Sequence, residues 1–454
     1  MERFDLVQSI LANAAGRAEV YLAGLDQRSV APSAAAIAGL AELDVPLPED
    51  SCDPTRTLAL LDRIVSPATM AMAGRRFFGF MIGGCLPSAL AANWLATAWD
   101  QNAGLYAAAP GVSHLETVAL RWLVDLFDLP SGTGGAFVTG STVANFTALA
   151  AARNGLLARV GWNVEADGLL GAPPITVIAG DEAHPTVFKS LGMLGLGRSR
   201  VVRVPVDDQG RMRADAVPPM RGPTIVLLQA GNLNTGSFDP FEPIISAAHA
   251  QGAWVHVDGA FGLWAKAAPS LRHLVQGVEH ADSWATDAHK WLNVPYDSGL
   301  AFVRKPDTLR AAMAITADYL PVESRARSPC DYTPELSRRA RGVEVWAALH
   351  SLGRAGLAEL FERNCRQARR FAEALSAAGC EVLNDVVLNQ VLVSFGDGER
   401  TRRVIEAIQR DGTCWCGVTV WQERTAMRIS VCSWATTDAD VERSLAVMLR
   451  IAAE

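Results

Sequence analysis

The sequence predicts an α/β fold: a mostly parallel sheet covered by helices on both faces, followed by a smaller α+β domain. Three observations carry this expectation. Between about Gly74 and Leu349 short apolar runs alternate with helical stretches, and near-continuous apolar strands of this kind belong to a sheet buried on both faces. After about His350 the order changes to a long helix followed by strands with helices between them. The 454 residues, at about 150 per domain, allow two or three folded units with a large core.

Residues 1–73 read as helix, broken at Val30-Ala-Pro32 and around Pro46 and Pro48. This segment lacks the apolar periodicity of a self-sufficient domain, so its helices are expected to lie along something else, namely a second copy of the chain. Residues 74–349 form the expected large domain. Its strands are placed at Gly135-Ala-Phe-Val-Thr139, Ile175–Ala179, Arg200–Val206, Thr224–Ala230, Ala253–Asp258, Ser283–Asp287 and Gly299–Val303. Residues 350–454 form the small domain, with a helix from Leu357 to Ala378 and strands at Val386–Phe395 and Met427–Val431. In a parallel sheet, ligands collect at the carboxyl ends of the strands.

Charge and composition narrow the function. Lys and Arg number 41 and Asp and Glu 48, a net of -7 with no long run of either sign, so an extended nucleic-acid surface has no electrostatic basis. Half the residues are hydrophobic and 20% are charged, which excludes a disordered, collagen-like or coiled-coil chain. The opening residues alternate charged and apolar side chains, and no long apolar run lacks a charge or breaker, so neither a signal peptide nor a membrane span is expected. The 8 Cys are scattered, and Cys414-Trp-Cys416 lacks a companion pair or nearby His. Reduced thiols in a cytoplasmic protein, and no metal, are expected.

Three segments carry chemistry. In Gly135-Ala-Phe-Val-Thr-Gly-Ser141-Thr142 a strand runs into a helix, bringing hydroxyls, free N–H groups and a helix dipole together as a phosphate would require; ordinary capping by Ser or Thr is the alternative. In Trp254-Val-His256-Val-Asp258 alternate residues share a face, and a carboxylate buried there needs a donor or cation; a turn-capping Asp is the alternative. In Asp287-Ala-His289-Lys290-Trp291 an amine follows a strand between two rings, where desolvation would lower its pKa and free a nucleophile. The other lysines, Lys189, Lys266 and Lys305, lie in a helical stretch, after a Gly-rich turn and in a polar loop. A phosphate cradle, a strand-end Asp and a Lys beyond it, in that order, match the needs of pyridoxal 5'-phosphate: the aldehyde on Lys290, the ring nitrogen on Asp258, the phosphate on the helix.

At these residues the chain resembles the group II pyridoxal-phosphate-dependent amino acid decarboxylases, which include aromatic L-amino acid, glutamate and histidine enzymes. The resemblance implies fold type I, aspartate aminotransferase-like, and a homodimer with the active site at its interface. It implies that Lys290 holds the cofactor as a Schiff base, that His184 in Asp181-Glu-Ala-His184 stacks on the ring, and that Asn232, where a Thr is usual, donates near the ring oxygen. Ser141, Thr142, Ala260 and His289 complete the implied cofactor contacts. Tyr319, on a loop of about 318–334 expected to be mobile, is implied to protonate the carbanion and so to favour an amine product over an aldehyde. Asp287 stands where Asn is common. Phe80, Met81, Ile82, Gln101, Asn102 and Gly104 correspond to substrate-pocket walls, and Gly104 replaces a ring, which would enlarge the pocket or change its substrate.

The expected reaction is decarboxylation of an L-amino acid. Phe80, Met81, Ile82, Trp99 and Trp415 would make a ring-accepting cavity if they converge, which favours an aromatic substrate; Gln101 and Asn102 would suit an acidic or diamino substrate instead. An aminotransferase of the same fold would grip the substrate carboxylate with an Arg, for which Arg428 is the candidate. A carbon-carbon lyase and a non-catalytic cofactor-binding homologue are the remaining alternatives.

Overall fold

The computed structural model describes residues 2–315 and 326–454. Contacts divide the chain into two compact units, one of Met1–Ile82, Arg370–Leu383 and Leu392–Glu454, the other of Gly83–Arg369 and Asn384–Val391.

The first unit opens with helices α1 (Glu2–Gly24), α2 (Ala34–Gly39) and α3 (Pro54–Ala68). The Ser33 and Asp53 side chains accept the N–H groups of Ala36 and Thr55, capping α2 and α3, and Pro54 opens α3 where its missing N–H costs nothing.

The second unit follows with α4 (Pro87–Trp99), α5 (Pro110–Leu126), β1 (Gly134–Val138), α6 (Ser141–Arg159), α7 (Val164–Asp167), β2 (Thr176–Gly180), α8 (Pro185–Met193), β3 (Val202–Val204), β4 (Thr224–Gln229), α9 (Phe241–Ala250), β5 (Trp254–Asp258), β6 (Ser283–Asp287), β7 (Gly299–Val303) and α10 (Pro306–Met313). Every strand expected between 135 and 303 is present. They form one sheet in the order β1-β7-β6-β5-β4-β2-β3. It is parallel from β6 to β3, whereas β7 runs antiparallel to both β6 and β1. The register sets Asp258 beside Gln229 and Ala285, and His256 beside Ser283. Ala148, Leu149, Ala150, Ala151 and Ala152 of α6 are buried; small side chains let this helix lie close on the sheet and point its N-terminus at the strand ends.

Helix α11 (Gly342–Ala377) begins in the second unit and ends in the first, broken at Gly353, whose φ of 58° only glycine adopts freely. The sequence-based boundary at 349/350 therefore falls inside this helix. The first unit is completed by β8 (Glu381–Val382), β9 (Gln390–Ser394) from Leu392 onward, α12 (Gly398–Asp411), β10 (Gly417–Trp421), β11 (Arg424–Ser430) and α13 (Asp438–Ala453), with sheet order β10-β11-β9-β8. Within that unit Phe77 stacks on Trp415 at 5.2 Å, and the buried Arg76 guanidinium lies 3.2 Å from Asp440. No helix among the described residues is long and apolar enough to cross a membrane.

Candidate active site

The chain leaves β1 through an extended Gly140 and starts α6 at Ser141 with no capping side chain of its own. The Ser141 N–H donates to Asp287 Oδ1 at 2.5 Å, so a carboxylate from the end of β6 supplies the missing cap and meets the positive end of the helix dipole. Asp287 is fixed from both sides: its N–H donates to Ala260 O at 2.9 Å and its carbonyl accepts Trp264 Nε1 at 2.9 Å.

Lys290 stands in the turn after β6, with its Nζ 3.3 Å from Asp287 Oδ2 and 5.9 Å from the centre of the Phe261 ring. Its side chain retains 19% of its exposure. His289 accepts the Ser298 N–H on Nδ1 at 3.0 Å, which leaves its proton on Nε2, 3.7 Å from Asp287. Burial lowers the His289 pKa, and its ring stacks on Tyr296 at 4.3 Å. Trp291 is wholly buried; it donates to Asn364 at 3.0 Å and packs on Phe361, so it anchors the turn. Burial alone does not single out Lys290. Lys266 is more enclosed, but Glu279 at 2.7 Å holds it, while Lys189 and Lys305 are exposed.

Asp258 closes β5 and is buried. Its Oδ2 accepts Asn145 Nδ2 at 3.1 Å and its Oδ1 accepts the Ala260 N–H at 3.2 Å. Burial raises its pKa, opposed by the charges of His184 and Lys290 and by the Asn145 bond. Ala260 thus joins the Asp258 and Asp287 turns through its N–H and its carbonyl. His184 caps α8, accepting the Thr186 N–H on Nδ1 at 3.3 Å. His184, His256, Asp239 and Asp258 line one small cavity beneath the strand ends. The structure therefore brings Ser141, His184, Asp258, Ala260, Asp287, His289 and Lys290 to the same edge of the sheet, with Thr142 in the first turn of α6.

Other expected residues have different surroundings. The Asn232 amide is engaged at both ends: Oδ1 accepts the Asn234 and Thr235 N–H groups, and Nδ2 donates to Glu182 at 3.0 Å. Its first role is to fix its own loop. Gln101 is exposed and donates to Trp99 O. Asn102 ties down the return segment, accepting the Arg338 N–H at 3.1 Å. Gly104 is buried, and a Cβ there would collide with the Leu336 carbonyl, so backbone stands where a side chain at this position would begin. Phe80, Met81 and Ile82 belong to the first unit, where Phe80 and Met81 adopt positive φ and Phe80 packs on Trp415 at 5.2 Å. Trp99 is 48% exposed and is no core residue. Arg428 is buried in β11, where desolvation lowers its pKa. Tyr319 lies outside the described residues.

Asn145 escaped the sequence reading. The available signal was its spacing: one turn after Ser141, it lies on the same face of α6. Asp239, a buried acid pushed up to about 6 by desolvation, was missed as well.

A primary amine, a buried carboxylate with two N–H donors, an imidazole and a helix N-terminus together fit a phosphorylated aldehyde carrying a basic ring nitrogen. Ser298 Oγ, in the strand start that contacts His289, is buried without a partner and would suit an anionic oxygen. Asp287 alone is at odds with a phosphate.

Comparison with known proteins agrees. The aromatic-L-amino-acid decarboxylase of Bacillus atrophaeus is 24% identical over 429 residues, covering 90% of this chain and 86% of the relative. Tryptophan decarboxylase 1 of Oryza sativa subsp. japonica is 28% identical over 416 residues, covering 83% and 80%. L-2,4-diaminobutyrate decarboxylase of Rhizobium meliloti is 29% identical over 381 residues, covering 79% and 74%. The crystal structure of Oryza sativa TDC with PLP and tryptamine shares the fold at a TM-score of 0.90 and 24% identity, covering 99% of this chain and 98% of that one. The pyridoxal-dependent decarboxylase conserved domain matches residues 41–396: the chain belongs to the pyridoxal-dependent decarboxylase family.

Proposed function

We propose that this decarboxylase acts on an aromatic L-amino acid, releasing the amine and carbon dioxide, with Lys290 as the residue that bonds the cofactor. The observation that carries the assignment of the site is the placing of the Lys290 amine, 3.3 Å from Asp287 just after β6, beside the neighbouring strand β5 that ends in the buried Asp258. The aromatic preference is supported by the relatives from Bacillus atrophaeus and rice, named for aromatic amino acids and tryptophan.

When bound, pyridoxal phosphate supplies an electron sink for the carbon that loses carbon dioxide. Lys290, now paired with Asp287 at 3.3 Å, would hold the cofactor at its aldehyde group. Asp258, with Asn145 and Ala260 donating to it, would hold a cationic ring nitrogen by charge-assisted hydrogen bonding. His184, fixed through Nδ1 by Thr186, would cover one ring face. Ser141 and Thr142 would take the phosphate at the start of α6, beside His289. Asn232 would support this site by holding its loop. Tyr319 would return a proton to the substrate carbon after carbon dioxide leaves.

We further propose a homodimer. Phe4, Leu11, Val20, Leu47 and Leu61 in the N-terminal segment, and Trp94, Leu95 and Trp99 at the end of α4, are exposed apolar side chains that a second copy would cover. The 8 free cysteines suit a reducing, cytoplasmic setting.

The test is to offer the PLP-loaded protein a panel of aromatic, acidic and diamino L-amino acids and to identify the products. Aromatic amines are the expected result. A diamine from L-2,4-diaminobutyrate would replace the aromatic reading with a second one, favoured by the Rhizobium meliloti relative.

A further inference from the structure

Asp258 sits at one end of a hydrogen-bond chain whose every proton can be assigned. Trp254, His256 and Asp258 share one face of β5, the face on which α6 packs: a Cβ added to Gly155 of α6 would lie 3.2 Å from the Trp254 ring. Trp254 Nε1 lies 2.9 Å from Ser283 Oγ, Ser283 Oγ 2.8 Å from His256 Nδ1, His256 Nε2 2.8 Å from Asn145 Oδ1, and Asn145 Nδ2 3.1 Å from Asp258 Oδ2. All five residues except Asp258 are at most 3% exposed, and Asp258 is 6% exposed.

Two ends of this chain are chemically one-sided. An indole N–H only donates, and an ionised carboxylate only accepts. From the Asp258 end, Asn145 must present its NH2, so its oxygen faces His256 and Nε2 must carry a proton. Buried and hydrogen-bonded to the uncharged Ser283 and Asn145, His256 is neutral, its pKa lowered to about 3 by desolvation. Its Nδ1 is therefore a lone pair and must accept the Ser283 hydroxyl proton. From the other end, Ser283 accepts the Trp254 N–H and so has its own proton free to give. Both ends demand the same direction. The opposite direction requires a protonated Asp258 and strands the Ser283 proton between two donors.

We propose that Asn145 and His256 are positioning residues that hold Asp258 in its carboxylate form, through a one-way hydrogen-bond chain starting at Trp254. The proposal rests on Asp258 being the partner of the cofactor ring nitrogen. An ionised Asp258 with an N–H already aimed at it keeps that nitrogen protonated; a carboxylate lacking the donor would draw the proton to itself.

The direct test is 15N NMR of the histidine rings in the PLP-loaded protein, with His256 identified by its loss in His256→Gln. The expected result is a proton on Nε2 and a bare Nδ1, unchanged between pH 6 and 8. A proton on Nδ1, or a ring that titrates in that range, overturns the proposal. The second test is Asn145→Leu. Removing one hydrogen bond to a charged group should weaken PLP binding by about tenfold or more. It should also raise the pH midpoint of the bound cofactor's visible absorption by about half a unit, a shift that a purely structural defect would not produce. Ser283→Ala should move the midpoint the same way and Ser283→Thr, which keeps the hydroxyl, should restore it; these variants decide the matter should Asn145→Leu not fold. An unmoved midpoint in a variant that binds PLP sinks this inference and leaves Lys290 and Asp258 in place. Absence of the visible band from the wild-type protein would instead remove the cofactor assignment itself.

Discussion

Asp287 Oδ1 accepts the Ser141 N–H at 2.5 Å, so the N-terminus of α6 is closed by a carboxylate from the neighbouring strand end. The same side chain holds the Lys290 amine at 3.3 Å. A carboxylate here competes with a phosphate for the helix dipole and with an aldehyde for the amine. Asp287→Asn keeps an oxygen to accept from Ser141 and removes the charge. PLP titration of the apoprotein should then show tighter binding, by up to about a thousandfold, the ~4 kcal/mol of one like-charge contact near 4 Å at an effective dielectric constant of about 20. Weaker binding by the variant would mean that Asp287 assists the cofactor.

His256 predicts an acid limit to stability. Its ordinary value of 6.5 falls to about 3 in the fold through burial. Below pH 6.5 the unfolded chain binds a proton that the native state refuses, so stability is lost as pH falls from about 6.5 towards 3, by about 1.4 kcal/mol per pH unit, and is regained above. Asp239, raised to about 6, acts in the opposite sense: its contribution is fullest below 3.8 and disappears as pH rises through 6. It cancels when wild type is compared with His256→Gln. Urea midpoints measured from pH 4 to 7 should fall less steeply in the variant. Parallel curves would show that His256 titrates normally.

Gly104 offers a prediction about packing. Because the Leu336 carbonyl occupies the space a Cβ would need, Gly104→Phe should not narrow a pocket but force the backbones apart, at a cost of about 1–3 kcal/mol or more. Thermal unfolding should show a lower Tm before any change in substrate preference is detectable. A variant of wild-type stability with altered selectivity would place the residue on a pocket wall.

For Tyr319→Phe we expect PLP binding to be unchanged and amine formation to fall by about a hundredfold, the usual loss of a proton donor. Product analysis with an aromatic substrate reads this directly. An unchanged amine yield would remove Tyr319 from the reaction.

The strands of the large sheet were legible because both faces are covered, which makes Val177–Ala179 or Ile225–Leu228 apolar without interruption. Strand direction was not: the antiparallel course of β7 is decided by pairing with β1 and β6, which no run of residues encodes. β10 was missed because it is half exposed, with Val418 and Val420 outward. In the site, Lys290 and Asp258 could be read from residue type and chain order, and His184 from the family resemblance. The Ser141–Asp287 contact could not, since it spans 146 residues and depends on the neighbouring order β1-β7-β6. Asn145 was hidden for a similar reason: within a helix its partner, Asp258, is 113 residues away.

Whether the Lys290 amine bonds the cofactor is read by reducing the PLP-loaded protein with borohydride and locating the modified residue by peptide mass spectrometry. A phosphopyridoxyl group is expected on Lys290 and on none of Lys189, Lys266 or Lys305. A label on another lysine, or none after reduction of a PLP-loaded protein, would contradict that bond.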